Sequence, residues 1–114
     1  MCEFKVLARS FNSIEDVGSD IIYAKFNYGD VTLRDIIGNE KTVNSAIIDE
    51  VNVAKEQLKL FKHPIIKLLF NFLKKYEECL NTGVYSEELE SLWEDVKSAG
   101  SNMVREIWLK LKGD

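Results

Sequence analysis

At 114 residues, 46% hydrophobic and 30% charged, the chain has the size and composition of one ordinary globular domain. A net charge of −4 and a pI of about 5.1 leave no surplus of Lys and Arg to neutralise a phosphate backbone, and neither half of the chain is a basic arm. Catalysis by the common acid–base or nucleophilic groupings is poorly provided for, since there is one histidine and no GxGxxG, P-loop, CxxC or HExxH pattern.

The start, MCEFKVLARSF, has no apolar segment followed by a small-residue cleavage site, so no secretory signal is expected. The strongest apolar run, Pro64 to Leu73, is interrupted by Lys67 and Asn71 and falls well short of the roughly 20 residues a membrane span needs. A cytoplasmic protein is therefore expected. In such a reducing compartment Cys2 and Cys79 are expected as thiols and not as a disulfide.

The first half reads as short β-type runs punctuated by Gly18, Gly29-Asp30 and Gly38-Asn39. In the first run Cys2, Phe4, Val6 and Ala8 share one face and Glu3, Lys5 and Arg9 the other, the period of 2 of a half-buried strand, which Leu7 interrupts. Further strands are predicted over Asp20–Phe26, Val31–Ile37, Thr42–Val51 and Gln57–Phe61, with a hairpin turning at Gly38-Asn39. The connections are too short for parallel crossovers, so a small antiparallel sheet curled into an open barrel is expected.

At Lys62 the period changes. Pro64 suits the first turn of a helix and Gly83 its exit. At 100° per residue the apolar side chains from Ile65 to Leu80 cover an arc of roughly 200°, enough to meet two neighbours. Ser86 is placed to cap a second helix, with Glu87 and Glu88 where the helix dipole favours negative charge. Leu89, Leu92, Trp93, Val96, Met103, Val104, Ile107, Trp108 and Leu111 keep one phase across Gly100. They predict a single helix to about Lys112, with Gly100 on the apolar stripe where a close backbone approach is possible; a break within Ser98–Asn102 is the alternative. The fold class is thus α+β: a β-domain over residues 1–62, then a helical hairpin over 63–114 that packs on it or forms a dimer interface.

His63 directly precedes the helix-opening Pro64, and a boundary or capping role accounts for it without metal or proton transfer. Glu87, Glu88 and Glu90 read as a solvated helix face. Cys2 stands apart by position. With Met1 retained, the Met1 amine, the Cys2 amide nitrogen and the Cys2 thiolate can close adjacent chelate rings on one metal; with Met1 removed, the Cys2 amine and thiolate still chelate. Mixed N and S donors in a flat array suit Ni(II) or Cu(II), and two chains together would complete four-coordination.

Met1-Cys2-Glu3-Phe4-Lys5-Val6, then Asp30-Val31-Thr32-Leu33-Arg34-Asp35-Ile36-Ile37-Gly38-Asn39, and Ile47-Ile48-Asp49-Glu50-Val51-Asn52-Val53 resemble the CooT-type small nickel-binding proteins, a family also described as RNA-binding. The likeness spans about residues 1–61 and rests on one specific landmark, Cys2. It implies a compact antiparallel β-fold, a homodimer, nickel held through Cys2, and delivery of that metal to a client metalloenzyme, carbon monoxide dehydrogenase. Residues 63–114 have no counterpart in the short family members, so the client and the dimer geometry are not carried over to this chain.

Three functions follow from the sequence: a Ni(II)-handling homodimer using Met1 and Cys2; an interaction module whose hairpin, with Phe70, Phe72, Tyr76, Trp93 and Trp108, recruits a protein partner; and RNA binding by Tyr23, Phe26 and Tyr28 with Lys5, Arg9, Lys25 and Arg34. The third is disfavoured by the carboxylates interleaved with those cations, at Glu15, Asp16, Asp20, Asp30 and Asp35.

Overall fold

The computed structural model describes residues 3–113, which form six strands and two helices. These are β1 (Phe4–Arg9), β2 (Ile14–Asn27), β3 (Asp30–Asp35), β4 (Glu40–Val43), β5 (Ala46–Asn52) and β6 (Gln57–Lys62), then α1 (Pro64–Thr82) and α2 (Glu88–Leu111). The α+β class read from the sequence is the fold observed. Two compact units divide the chain, residues 1–67 and 68–114, with the boundary inside α1.

In the first unit the strands form one mixed sheet in the order β4-β3-β2-β1-β6-β5. β4 and β5 are its two edges, yet only Asn44 and Ser45 connect them. Laid flat, edges five spacings apart would be separated by about 24 Å, whereas the chain from Val43 to Ala46 can reach about 11 Å. The sheet is therefore obliged to curl, and it forms a half-barrel. Val6, Ala8, Val31, Leu33, Val43, Ala46, Leu58 and Leu60 fill the inside with Val17 and Ile21, and Phe4, Ala24 and Phe26 pack against them.

The seam of the half-barrel is held by one carboxylate. Asp30 accepts the Ser45 N–H at 3.1 Å through Oδ1 and the Lys67 ammonium at 2.6 Å through Oδ2. Beside it the Ala46 N–H donates to the Gly29 carbonyl at 2.8 Å, and the His63 N–H to the Ser45 carbonyl at 3.1 Å. Gly29 is required here. Its φ is +93°, following Tyr28 at +41°, as a two-residue hairpin turn needs, and a Cβ at Gly29 would stand 3.1 Å from the Lys67 Cα.

Several sequence expectations need correction. The sheet is not antiparallel throughout, because β1 and β6 run parallel from Lys5 beside Gln57 to Arg9 beside Phe61. The links between adjacent runs are too short for a parallel crossover, but the connection between these two strands is the whole of β2–β5. The predicted strand Thr42–Val51 is two strands, divided where Ser45 takes φ +53° and the chain passes from one edge to the other. β2 begins at Ile14, well before Asp20, and is bent where its pairing with β1 shifts register around Gly18. Leu7 is no flaw in β1, since Val6 and Ala8 are buried on the core face and Leu7 shares the other face with Arg9.

In the second unit α1 exits at Gly83, whose φ is +70°, as Gly at that position predicts. The Glu88 N–H donates to Ser86 Oγ at 3.3 Å, and Glu88 and Glu90 occupy the first turn of α2. α2 is one helix without a break at Ser98–Asn102. Phe72 lies 5.3 Å from Trp93 between ring centroids, and Lys75 pairs with Glu88 at 3.1 Å, so the helices run antiparallel. Continued, that register leaves α2 beyond about Lys97 with no α1 residue of this unit beside it. No residue of α2 is buried. Neither helix is long and apolar enough to cross a membrane.

Candidate functional site

The predicted metal ligands, Met1 and Cys2, lie outside the described residues. What is described is the strand they lead into. β1 is an interior strand, paired with β2 on one side and β6 on the other, and the Lys5 N–H donates to the Glu56 carbonyl at 2.9 Å. Among the described residues no group of three His, Cys, Asp or Glu is placed to hold a metal ion. Cys79 is a free, half-buried thiol on α1.

His63 is the boundary residue its position suggested. Its Nδ1 accepts the Ile65 N–H at 3.1 Å and its carbonyl accepts that of Ile66, which satisfies two of the orphan donors at the start of α1. Its ring leans on Phe11 at 5.3 Å, and Phe11 in turn on Phe61 at 5.4 Å.

The aromatic set weighed for RNA does not form one platform. Phe26 packs on the core side of β2, while Tyr23, an odd number of residues away, faces out beneath the Arg34 guanidinium at 4.5 Å. Three of the four cations invoked with it are engaged by carboxylates: Lys5 with Asp16 at 3.3 Å, Arg9 with Asp49 at 3.2 Å and Arg34 with Glu40 at 3.1 Å. Each pair is half-exposed and worth little in stability, but each cancels charge that a phosphate would need.

The helical unit exposes apolar residues at helical spacing. Trp93, Val104, Ile107, Trp108 and Leu111 of α2 are 44%, 67%, 52%, 55% and 72% exposed, and Leu73, Tyr76 and Leu80 of α1 are exposed as well. Two apolar hollows run along the hairpin. One, of about 380 Å³, is lined by Phe72, Leu89, Glu90 and Trp93; the other, of about 370 Å³, lies around Tyr76, Cys79, Leu80 and Tyr85. Charge frames this surface. Lys75 is held above the ordinary lysine range by the hydrogen bonds it donates to Glu78 and Glu88, and the Tyr85 hydroxyl is raised by its hydrogen bond to Glu90. The sequence named Trp93 and Trp108 but gave no sign of which apolar residues the chain itself would cover, because that depends on how far α2 extends past its neighbour.

No protein-family model matches this chain, and no curated protein matches it. Among solved structures, a chain from Carboxydothermus hydrogenoformans described as "putative CooT" superposes with a TM-score of 0.49 at 16% sequence identity, over 54% of this chain and 98% of that one.

Proposed function

We propose that this chain is a non-catalytic accessory protein that acts by association, with the helical unit as its working surface. One observation carries the reading: α2 buries none of its residues, yet it presents Trp93, Ile107, Trp108 and Leu111 at helical spacing. Contiguous exposed apolar surface of this kind is costly in water and marks an interaction site. Both tryptophans of the chain lie on it, so their fluorescence reports on it directly. Acrylamide should quench both in dilute protein and quench them less once the surface is occupied. Tryptophans shielded in the dilute chain would show that its own fold covers the surface, and the reading would fall.

A second reading concerns cargo. The Met1 amine and the Cys2 thiolate supply the mixed N and S donors that suit Ni(II), and the sequence resemblance to CooT-type proteins supports that metal. The chain would then carry nickel at its N-terminus as a homodimer. Titration of protein with an unblocked N-terminus should give near-stoichiometric binding and a sulfur-to-metal charge-transfer band that Cys2→Ser abolishes. Unchanged binding in that variant would remove the cargo reading and leave the interaction surface untouched.

A further inference from the structure

We infer that the partner of α2 is a second copy of this chain, docked α2 against α2 in antiparallel fashion about a two-fold axis at Gly100. The inference rests on the reading of the helical unit as an interaction surface and goes on to name what occupies it.

The first argument is the symmetry of the stripe. Leu89, Trp93, Val96, Gly100, Val104, Ile107 and Leu111 recur every three or four residues and stay within about 80° of one another at 100° per residue. Two antiparallel helices crossing at Gly100 set Leu89 against Leu111 of the other copy, Trp93 against Ile107, Val96 against Val104 and Gly100 against itself. Every apolar position meets an apolar position. A stripe made for an unrelated partner has no reason to be its own complement, whereas an isologous interface requires it.

The second argument is charge. The first half of α2 carries Glu88, Glu90, Glu94 and Asp95 against Lys97, and the second half carries Arg105 and Lys110 against Glu106, with Lys112 just past its end. A parallel pairing would stack like charges along the helix. The antiparallel pairing brings the acidic half of each copy beside the basic half of the other, and on the open flank of the stripe it sets Glu94 near Arg105 and Glu90 near Lys112. The opposite flank, with Leu92, Ala99 and Met103, is half-buried, as are Leu89, Val96 and Gly100 on the stripe itself, whereas Trp93, Val104, Ile107 and Leu111 are exposed.

The third argument is Gly100. Glycine inside a helix is unfavourable, and within this chain nothing repays it, since a Cβ built there would meet nothing within 4 Å. At the crossing point of two helices a missing side chain lets the backbones approach closely, and Gly100 lies at the middle of Glu88–Leu111.

Sedimentation equilibrium on the full chain at tens of micromolar should give a dimer, and Ile107→Glu should give a monomer with the same far-UV circular dichroism, because Ile107 is 52% exposed in the single chain and tolerates a charge there. Nitroxide labels, attached through cysteines in a Cys2→Ser, Cys79→Ser background, then fix the orientation without disturbing the stripe. From the helical rise, labels at Ser101 should lie within about 20 Å of each other across the dimer and labels at Lys112 about 35 Å apart. Equal distances at the two sites, or a dimer that Ile107→Glu leaves intact, would overturn the inference. A monomeric wild type with quenchable tryptophans would overturn it and spare the interaction reading; a monomer with shielded tryptophans would overturn both.

Discussion

The two units of this chain differ in what they bury. The half-barrel turns Val6, Val31, Leu33 and Leu60 fully inward, and its outer face is tied by ion pairs such as Arg9–Asp49 and Lys62–Glu15. The helical unit has the larger aromatic side chains, both tryptophans among them, and α2 buries nothing. A curved sheet closes on itself and makes a core, whereas two helices have only one face each to offer the other. What the hairpin does not cover stays exposed along α2, and the association proposed for this chain rests on it.

The largest effect should come from truncating the core of the half-barrel. Leu33→Ala or Leu60→Ala removes a side chain with no exposure and should cost about 2–5 kcal/mol by urea denaturation. Trp108→Ala, a larger truncation by volume, should cost the dilute chain under about 0.5 kcal/mol, because its site is exposed. Equal costs would erase the contrast between the units.

Next in size is the seam. Gly29→Ala forces a side chain into a left-handed conformation and against the Lys67 backbone, and should cost about 2 kcal/mol or more. The same change at Gly83, where a Cβ meets nothing within 4 Å, should cost only the backbone term, about 1 kcal/mol. Asp30→Ala strands the Ser45 N–H and the Lys67 ammonium, for about 1–2 kcal/mol after allowing for partial exposure of the pair. A loss shared by Lys67→Met, with no further loss in the double variant, would show that the two act as one contact.

Alkali should loosen the helical hairpin. Lys75 and Tyr85 both have raised pKa values, so the support each gives is complete below its ordinary value, 10.5 for the lysine and 10.0 for the tyrosine, and is lost as pH rises through the folded value. Lys75→Met should flatten that alkaline limb, read by far-UV circular dichroism, and lower stability near neutrality by the small amount that the wild type loses across it.

The period of 2 in Phe4, Val6 and Ala8, the hairpin at Gly38-Asn39 and the helix start at Pro64 were legible in the sequence because each is decided within a few residues. The parallel β1–β6 pair was not, because it depends on strands separated by nearly the whole half-barrel, and Asp30 was only one carboxylate among many until the fold brought Ser45 and Lys67 to it. The candidate surface was half legible. The stripe through Trp93 and Ile107 is periodic and could be read, but its exposure follows from the register with α1, which Phe72 and Trp93 fix in three dimensions.

The smallest effect is also the one whose sign separates the alternatives. In a chain that works alone, Gly100→Ala should only help: a helix-favouring residue replaces glycine, its methyl meets nothing, and stability should rise by about 0.5–1 kcal/mol. In a dimer crossing at Gly100 the same methyl enters the closest contact between two backbones, and each dimer carries two copies of it. Helicity of the dilute chain should then rise while the concentration for half-dimerisation also rises, a combination that helix propensity alone cannot produce. Should both the stability and the association improve together, the axis is not at Gly100, and the glycine would need another explanation.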